Sequence, residues 1–544
     1  MIQQKAPGYN LLLKRIFIRH PYAITVTFVL GILGLLFSLI TPLIIKMLVD
    51  DVLLARNNQL LLPILASLSV IYIISALSNY LSGVIGGNLG IIVYRELSSD
   101  IFSAIQSATL MEIQKFKIGD LLARTIGNLN AIVQTGINTI PRIVITVLSI
   151  ILPLIIMLSL DNTLTIIVMS PLVLFVLSSW YFGEQIKKSQ RPVLDSGANF
   201  QSFLKESYSI IPLTKTLGLE NWLGKRFDGH ISEYNDVSFK LVKVSSLNSA
   251  VALLFYGVPT ILVLSFGSIA FLNGAISLGT LTAFMAYVGL FFAPIEQLSF
   301  YWTSYKGSQA SYDRIEEILS LKKDSWGNQP LVHQPNRVIF ENIGFSYNSR
   351  TILTGFDATF NLGRNYLIGD NGTGKTTLIK LLCGLYSPDS GRIVINEQDV
   401  VSINKDSLRN SVSVVFSDSL IFDDTVYENI RVGDLCASRE KVIAAAKMAE
   451  LHDFIMELPD QYETGVGESG LFLSSGEKQK IALARVILRN SPIIIFDEFT
   501  RSIDTESKKS ILSVIRKLKD RIIIIITHDM TDIESNSNVV YITG

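Results

Sequence analysis

At 544 residues the chain is too long for one hydrophobic core, so it predicts two large domains. Hydrophobic residues make up 49% of it and charged residues only 17%, a balance that a soluble protein of this size would struggle to keep dispersed and that a membrane domain explains. The 47 basic and 47 acidic residues cancel, which argues against a general nucleic-acid binder working by counterion release and leaves bulk charge naming no partner.

The first 20 residues, MIQQKAPGYNLLLKRIFIRH, place Lys5, Lys14, Arg15 and Arg19 before a very long apolar run without a small-residue cleavage site. They read as an uncleaved membrane entry, an interfacial elbow helix over 1–20 with Leu11, Leu12, Leu13, Ile16 and Phe17 on its apolar face. A transmembrane helix needs about 20 apolar residues. Six stretches satisfy that length, near 22–46, 60–84, 137–159, 163–183, 249–272 and 277–300. Asp161-Asn162 and Asn273-Gly274 make tight turns between the third and fourth and between the fifth and sixth.

The long connections, 85–136 and 184–248, hold most of the basic residues of this half, Arg95, Lys115, Lys117, Arg124, Lys187, Lys188, Lys225 and Arg226 among them. By the positive-inside rule they are cytoplasmic, together with the N-terminus. Connections of this size without turn clusters predict helices running on into the cytoplasm. The few charges within the spans, Lys46, Arg142 and Glu296, fall near an interface, where snorkelling accounts for them. The transmembrane domain is expected over 21–320.

A linker over 321–336 leads into a polar second half, 337–544, in which the apolar runs VIF, NYLI, VSVVF, PIIIF and IIIIIT read as buried strands of an α/β domain. Cys383 and Cys436 lie in this half without metal-ligand spacing and read as reduced thiols.

Gly369-Asp370-Asn371-Gly372-Thr373-Gly374-Lys375-Thr376 satisfies G-x-x-x-x-G-K-[ST] between a strand and the helix that begins Thr376-Thr377-Leu378. Glycines there turn backbone N–H groups toward phosphate oxygens, Lys375 reaches the β- and γ-phosphates, and Thr376 offers a hydroxyl to Mg²⁺. A second apolar strand, 493–496, delivers Asp497 and Glu498 to its end. Asp497 is expected to hold Mg²⁺ and Glu498 to polarise the attacking water, a division sufficient for phosphoryl transfer.

With these motifs the second half resembles the nucleotide-binding domain of the ATP-binding cassette (ABC) transporters, and the whole chain resembles their half-transporter exporters, a six-helix all-α membrane domain followed by an α/β ATPase domain. The motifs recur in the family's order: FSY with Tyr347, the phosphate loop, a Q-loop region, LSSGE, FDE and ITHD. The resemblance implies that Tyr347 stacks on adenine, and that Ser474, Ser475, Gly476 and Glu477 belong to the signature meeting the ATP of the opposite subunit. It assigns Asp504 to the loop that crosses the dimer interface and His528 to the γ-phosphate sensor. TGVGESG, with Glu468, and Gly119-Asp120-Leu121 with Arg124 are similar to exporter-specific segments.

Three positions depart from the family's pattern. Ser417 stands where a Q-loop glutamine is expected, with a shorter hydroxyl that can still touch Mg²⁺ or water, Ser475 replaces a glycine, and Glu477 replaces a glutamine.

The implied protein is an ATP-driven exporter in a bacterial plasma membrane with its ATPase domain in the cytoplasm. It uses ATP and Mg²⁺, pairs with a second copy or a related half-transporter, and contacts lipid but no nucleic acid. Tyr72, Asn79, Tyr80, Trp180, Tyr256 and Tyr287 in nearly charge-free spans point to an amphipathic or apolar cargo such as a peptide, lipid or drug-like molecule. The departures leave open a second reading, an ATP-binding regulator or immunity component that scarcely hydrolyses.

Overall fold

A computed structural model describes residues 8–347, 350–417, 419–467, 470, 472–499, 505–518, 520–528, 533 and 537–542, without the side chains of 194, 296, 299, 303 and 505–507. Glu468, Asp504 and the side chain of Glu296 lie outside the described residues. The chain divides into two compact units, Met1–Gln106 with Lys117–Ser320, and Ser107–Phe116 with Leu321–Gly544.

The first unit is helical. Inside a bilayer every backbone N–H and C=O must be satisfied within the segment, so each apolar run folds as helix. Among the described residues six helices are long and apolar enough to cross a membrane: Pro21–Leu54, Leu61–Ser107, Ile118–Leu160, Asn162–Ser209, Glu220–Leu272 and Leu278–Leu319. The longest has 53 residues, which at 1.5 Å each extends about 80 Å, against roughly 30 Å of hydrocarbon. The excess is the expected continuation of helix beyond the bilayer, and it absorbs most of both long connections.

The tight turns have local causes. Asp161 caps the helix Asn162–Met169, its Oδ1 accepting from the Leu164 N–H at 2.7 Å. At the second turn Gly274 takes φ +72°, a left-handed conformation that costs glycine nothing.

Packing centres on the last span, whose Phe284, Tyr287, Phe291 and Phe292 are buried against Met157, Leu164, Val168, Phe175 and Val263. Tyr287 is fully enclosed there and donates its hydroxyl to the Leu39 carbonyl at 2.6 Å, so it is a packing residue and not a cargo contact. Where this helix begins, the Asp50 carboxylate accepts from the Gly279 N–H (2.8 Å) and the Ser277 hydroxyl (2.5 Å). A side chain at Gly279 would stand 2.5 Å from the Lys46 carbonyl, so this approach of the first span to the last requires glycine. At its far end buried Arg124 holds the same helix, reaching Glu317 (2.5 Å) and the Arg314 carbonyl (2.6 Å) as well as Asp120 (2.9 Å).

The elbow helix, Tyr9–Arg19, buries Tyr9, Leu12, Leu13 and Ile16, a stripe at helical spacing. Leu11 falls outside that buried stripe and is exposed. The Tyr9 hydroxyl meets that of Ser308 at 2.7 Å.

The second unit carries two sheets. Strands β1 (Arg337–Tyr347), β2 (Arg350–Asn361), β3 (Gly363–Ile368), β4 (Ser390–Ile395), β5 (Gln398–Asp399), β6 (Val412–Val415), β7 (Ile493–Asp497), β8 (Ile522–Ile526) and β9 (Asn538–Tyr541) follow in chain order. The antiparallel sheet runs β2-β1-β4-β5 and the parallel sheet β6-β7-β8-β3-β9. Every residue of β7 and β8 is buried, as uninterrupted apolar runs in a sheet covered on both faces should be.

Residues 107–116 belong to this unit. Ala108 bridges to Lys323, and the Thr109 N–H donates to the Lys322 carbonyl at 2.9 Å. Leu110 and Met111 pack on the core between the sheets, and Gln114 accepts from the Tyr386 hydroxyl at 2.8 Å.

Candidate functional site

The phosphate loop leaves the end of β3, the strand between β8 and β9 in the parallel sheet. Its backbone is shaped by glycines at two positions in particular. Gly374, at φ +102°, starts the helix Lys375–Leu382, and a side chain there would lie 2.8 Å from Leu353. Gly369 passes so close to Ile542 that a side chain would meet its carbonyl oxygen at 2.5 Å. Gly372 also has positive φ, Asn371 is exposed, and the Thr373 hydroxyl donates to the Asp370 carbonyl at 2.9 Å, closing the loop.

Lys375 is buried with its Nζ donating to the Gly369 (2.7 Å) and Asp370 (2.8 Å) carbonyls. Burial lowers its pKa, opposed by the nearby charges of Glu498, Asp497 and Asp370. The ammonium is therefore held over the loop by two neutral acceptors that a phosphate anion outcompetes. The Thr376 hydroxyl donates to Asp497 Oδ2 at 3.3 Å, and Thr377 Oγ1 lies 3.4 Å from the Tyr347 hydroxyl. Tyr347 is half-buried, edge-on to Phe345 (5.0 Å between centroids) and Tyr386 (5.5 Å).

Asp497 closes β7, 6% exposed, and burial raises its pKa against the Thr376 hydrogen bond. A carboxylate kept in this penalised position is suited to a cation. Mg²⁺ binds through one or two protein oxygens plus phosphate and water, so the Thr376–Asp497 pair fits it, and among the described residues no cluster of three His, Cys, Asp or Glu offers a protein cage instead. Glu498 follows in a left-handed conformation (φ 47°), its N–H donating to the Ile526 carbonyl of β8 at 3.1 Å. Such backbone strain in a non-glycine residue is characteristic of functional sites. It brings the carboxylate to His528 just past β8, with Nε2 and Oε1 at 2.5 Å; since a carboxylate only accepts, Nε2 donates.

A second group surrounds the helix Ser475–Arg489. Ser474 caps it, its Oγ accepting from the Glu477 N–H (3.3 Å), while Glu477 Oε2 accepts from the Ser474 N–H (2.8 Å). The two form a reciprocal capping box. Ser474 and Ser475 are exposed and Gly476 is buried. Ser417 is an exposed bend residue whose carbonyl accepts from Gln479 Nε2 at 2.6 Å.

The structure thus gathers the sequence-identified residues into two constellations. One comprises Tyr347, the phosphate loop with Lys375, Thr376 and Thr377, Asp497, Glu498 and His528. The other joins Ser474 and Glu477, and through Gln479 the backbone of Ser417.

Gln479 and Tyr386 were missed by motif reading. Gln479 carried a signal, since it is the polar member of an otherwise apolar, buried stripe with Gly476, Leu483 and Ile487 on an amphipathic helix. Tyr386 carried none, because its partner Gln114 lies 272 residues away in sequence.

A phosphate loop followed by a strand-end carboxylate pair and a histidine, on a sheet joined in one chain to six membrane-length helices, defines a membrane-bound ATPase. The family profile for the ABC transporter transmembrane region matches residues 24–295, and that for the ABC transporter matches 353–501. The chain belongs to the ABC transporters, and it has the half-transporter organisation of their exporters, an integral membrane protein that hydrolyses ATP.

The putative multidrug export ATP-binding/permease protein YgaD of Bacillus subtilis (strain 168) is 29% identical over 531 residues, covering 95% of this chain and 91% of the relative. A protein of the same description from Staphylococcus aureus (strain N315) is 29% identical over 540 residues, covering 96% and 93%. Among solved structures, a bacterial Atm1-family ABC exporter with ATP bound superposes with a TM-score of 0.81 at 25% identity, over 98% of this chain and 94% of that one.

Proposed function

We propose that the chain exports an amphipathic or apolar molecule from the cytoplasm or inner leaflet by alternating access, two copies closing their ATPase domains around two ATP molecules. The observation that carries this reading is the Glu498–His528 pair, at 2.5 Å, in the same group as Lys375 and Asp497 and on a chain with six membrane-length helices. In this mechanism Lys375 exchanges its two loop carbonyls for the β- and γ-phosphates, and Tyr347 offers its ring to adenine. Thr376 and Asp497 would hold Mg²⁺, with Ser417 offering a further hydroxyl to it or to a water; bound there, the ion would neutralise charge on the phosphates. Glu498 orients the attacking water, and His528 keeps Glu498 in place while sensing the γ-phosphate. Asp504 contacts across the dimer, and Ser474, Ser475, Gly476 and Glu477 complete the site of the opposite subunit.

Supporting an apolar or amphipathic cargo, the spans are nearly free of charge and the relatives above are described as multidrug exporters. The test is ATP-dependent accumulation of labelled candidate cargoes in inverted membrane vesicles, lost in Glu498→Gln. Ser417 and LSSGE leave open the regulatory alternative, in which nucleotide domains pair and scarcely hydrolyse, and the retained Glu498 and His528 argue against it. ATP binding without cargo-stimulated turnover would select it.

A further inference from the structure

The capping box at the signature helix has a consequence for the composite site. An α-helix of 15 residues presents unsatisfied N–H groups and a partial positive charge at its N-terminus, and a negative group placed there is stabilised. In this chain that place is taken by its own carboxylate. Glu477, three residues after Ser474, folds back so that Oε2 accepts from the Ser474 N–H at 2.8 Å, and the Ser474 hydroxyl is engaged in return by the Glu477 N–H at 3.3 Å. A glutamine at 477 could form the same box through a neutral amide oxygen; glutamate adds a full charge.

We propose that Glu477 is an affinity-determining residue, an intramolecular anion that competes with the γ-phosphate for the signature helix of the opposite subunit. The inference rests on the composite-site reading above. Ser474, the residue assigned to phosphate, commits its N–H to the Glu477 carboxylate, while its hydroxyl accepts from the Glu477 N–H and keeps its own proton to donate; closure around ATP therefore requires the carboxylate to leave or a second negative charge to be tolerated beside it. Either route lowers the population of the closure-competent state, and apparent ATP affinity falls by that fraction. The exposed position of Ser474 and partial exposure of Glu477 leave room for the carboxylate to swing out.

The experiment uses the purified full-length protein in nanodiscs and compares wild type with Glu477→Gln and Glu477→Ala. Expected is a half-saturating ATP concentration for turnover lowered about threefold in both variants. Expected alongside it is a fall in the thermal midpoint without nucleotide, larger for Glu477→Ala, which loses the cap altogether. The ATP-induced rise in midpoint should be larger than in wild type. A purely structural cap would lower the midpoint and weaken the response to ATP together, so the opposite signs identify a competitor.

Ser474→Glu, at an exposed position, separates this proposal from the reading beneath it. It should abolish turnover while fluorescent ATP still binds the phosphate loop. Normal turnover in Ser474→Glu would remove the signature helix from the ATP site, and the proposal with it. If Ser474→Glu is inactive yet Glu477→Gln leaves half-saturating ATP unchanged or raises it, competition by Glu477 is overturned while the composite site stands.

Discussion

Glu498 is held in one carboxylate orientation by its left-handed backbone, its hydrogen bond to β8 and its 2.5 Å contact with His528. Replacing it with glutamine keeps the shape and removes the ability to orient water as a base. Glu498→Gln should therefore bind ATP normally and lose at least about 100-fold in turnover, measured by phosphate release. Lys375→Ala should instead fail at nucleotide binding. Asp497 makes a different prediction. Its pKa is raised, so the folded state holds the proton more tightly than the unfolded chain, and the buried charge costs stability at neutral pH. That cost is relieved as pH falls through the raised folded value toward the unfolded one. Asp497→Asn should raise the nucleotide-free thermal midpoint at pH 7.5 by about 2 °C while abolishing Mg²⁺-dependent turnover, and the gain should shrink as the pH is lowered. A gain that grew on acidification would contradict the assigned sign.

At the scale of elements, the segment 107–116 is tied to the ATPase core through Tyr386. This tyrosine is 6% exposed, edge-on to Tyr347, and its hydroxyl reaches Gln114. Burial raises the Tyr386 pKa to about 12, so it remains a donor over the whole physiological range. Tyr386→Phe keeps the ring and deletes that one bond. Hydrogen exchange should accelerate in 107–116 with little change at the phosphate loop, whereas an unchanged rate would mean that Leu110, Met111 and the Lys322–Asp324 backbone hold the segment alone. The link between Ser417 and the signature helix is made by backbone, through Gln479. Restoring glutamine at 417 therefore leaves that link intact, and should raise cargo moved per ATP more than it raises ATP turnover, a ratio read by paired uptake and phosphate assays in vesicles.

For the whole molecule, the proposed composite site takes its phosphate-loop group from one subunit and its signature group from another. A homodimer is the simplest partner, since this chain carries both groups, with Glu498 and His528 in the first and Ser474 and Gly476 in the second. Light scattering of the purified chain in nanodiscs should give a dimer-sized mass, with Mg²⁺-dependent turnover lost in Glu498→Gln. A monomer, or an inert dimer rescued by another half-transporter, would refute self-pairing.

Chain length, six apolar runs and an ordered set of phosphate-binding motifs were legible directly, because membrane crossing and phosphate binding are governed by local rules. Twenty consecutive apolar residues must form helix in lipid, and a G-x-x-x-x-G-K-T loop makes its contacts with its own backbone. Tertiary structure decided what depends on neighbours distant in sequence. It enclosed Tyr287 as a packing residue through Leu39, 248 residues away, and turned Leu11 out of the elbow stripe. It joined Gln114 to Tyr386 and Gln479 to Ser417. The Glu477 cap lies between the two cases. Its i to i+3 spacing is local and readable, yet whether that carboxylate points back to Ser474 or out to solvent is a choice of rotamer, which only the folded surroundings of the helix make.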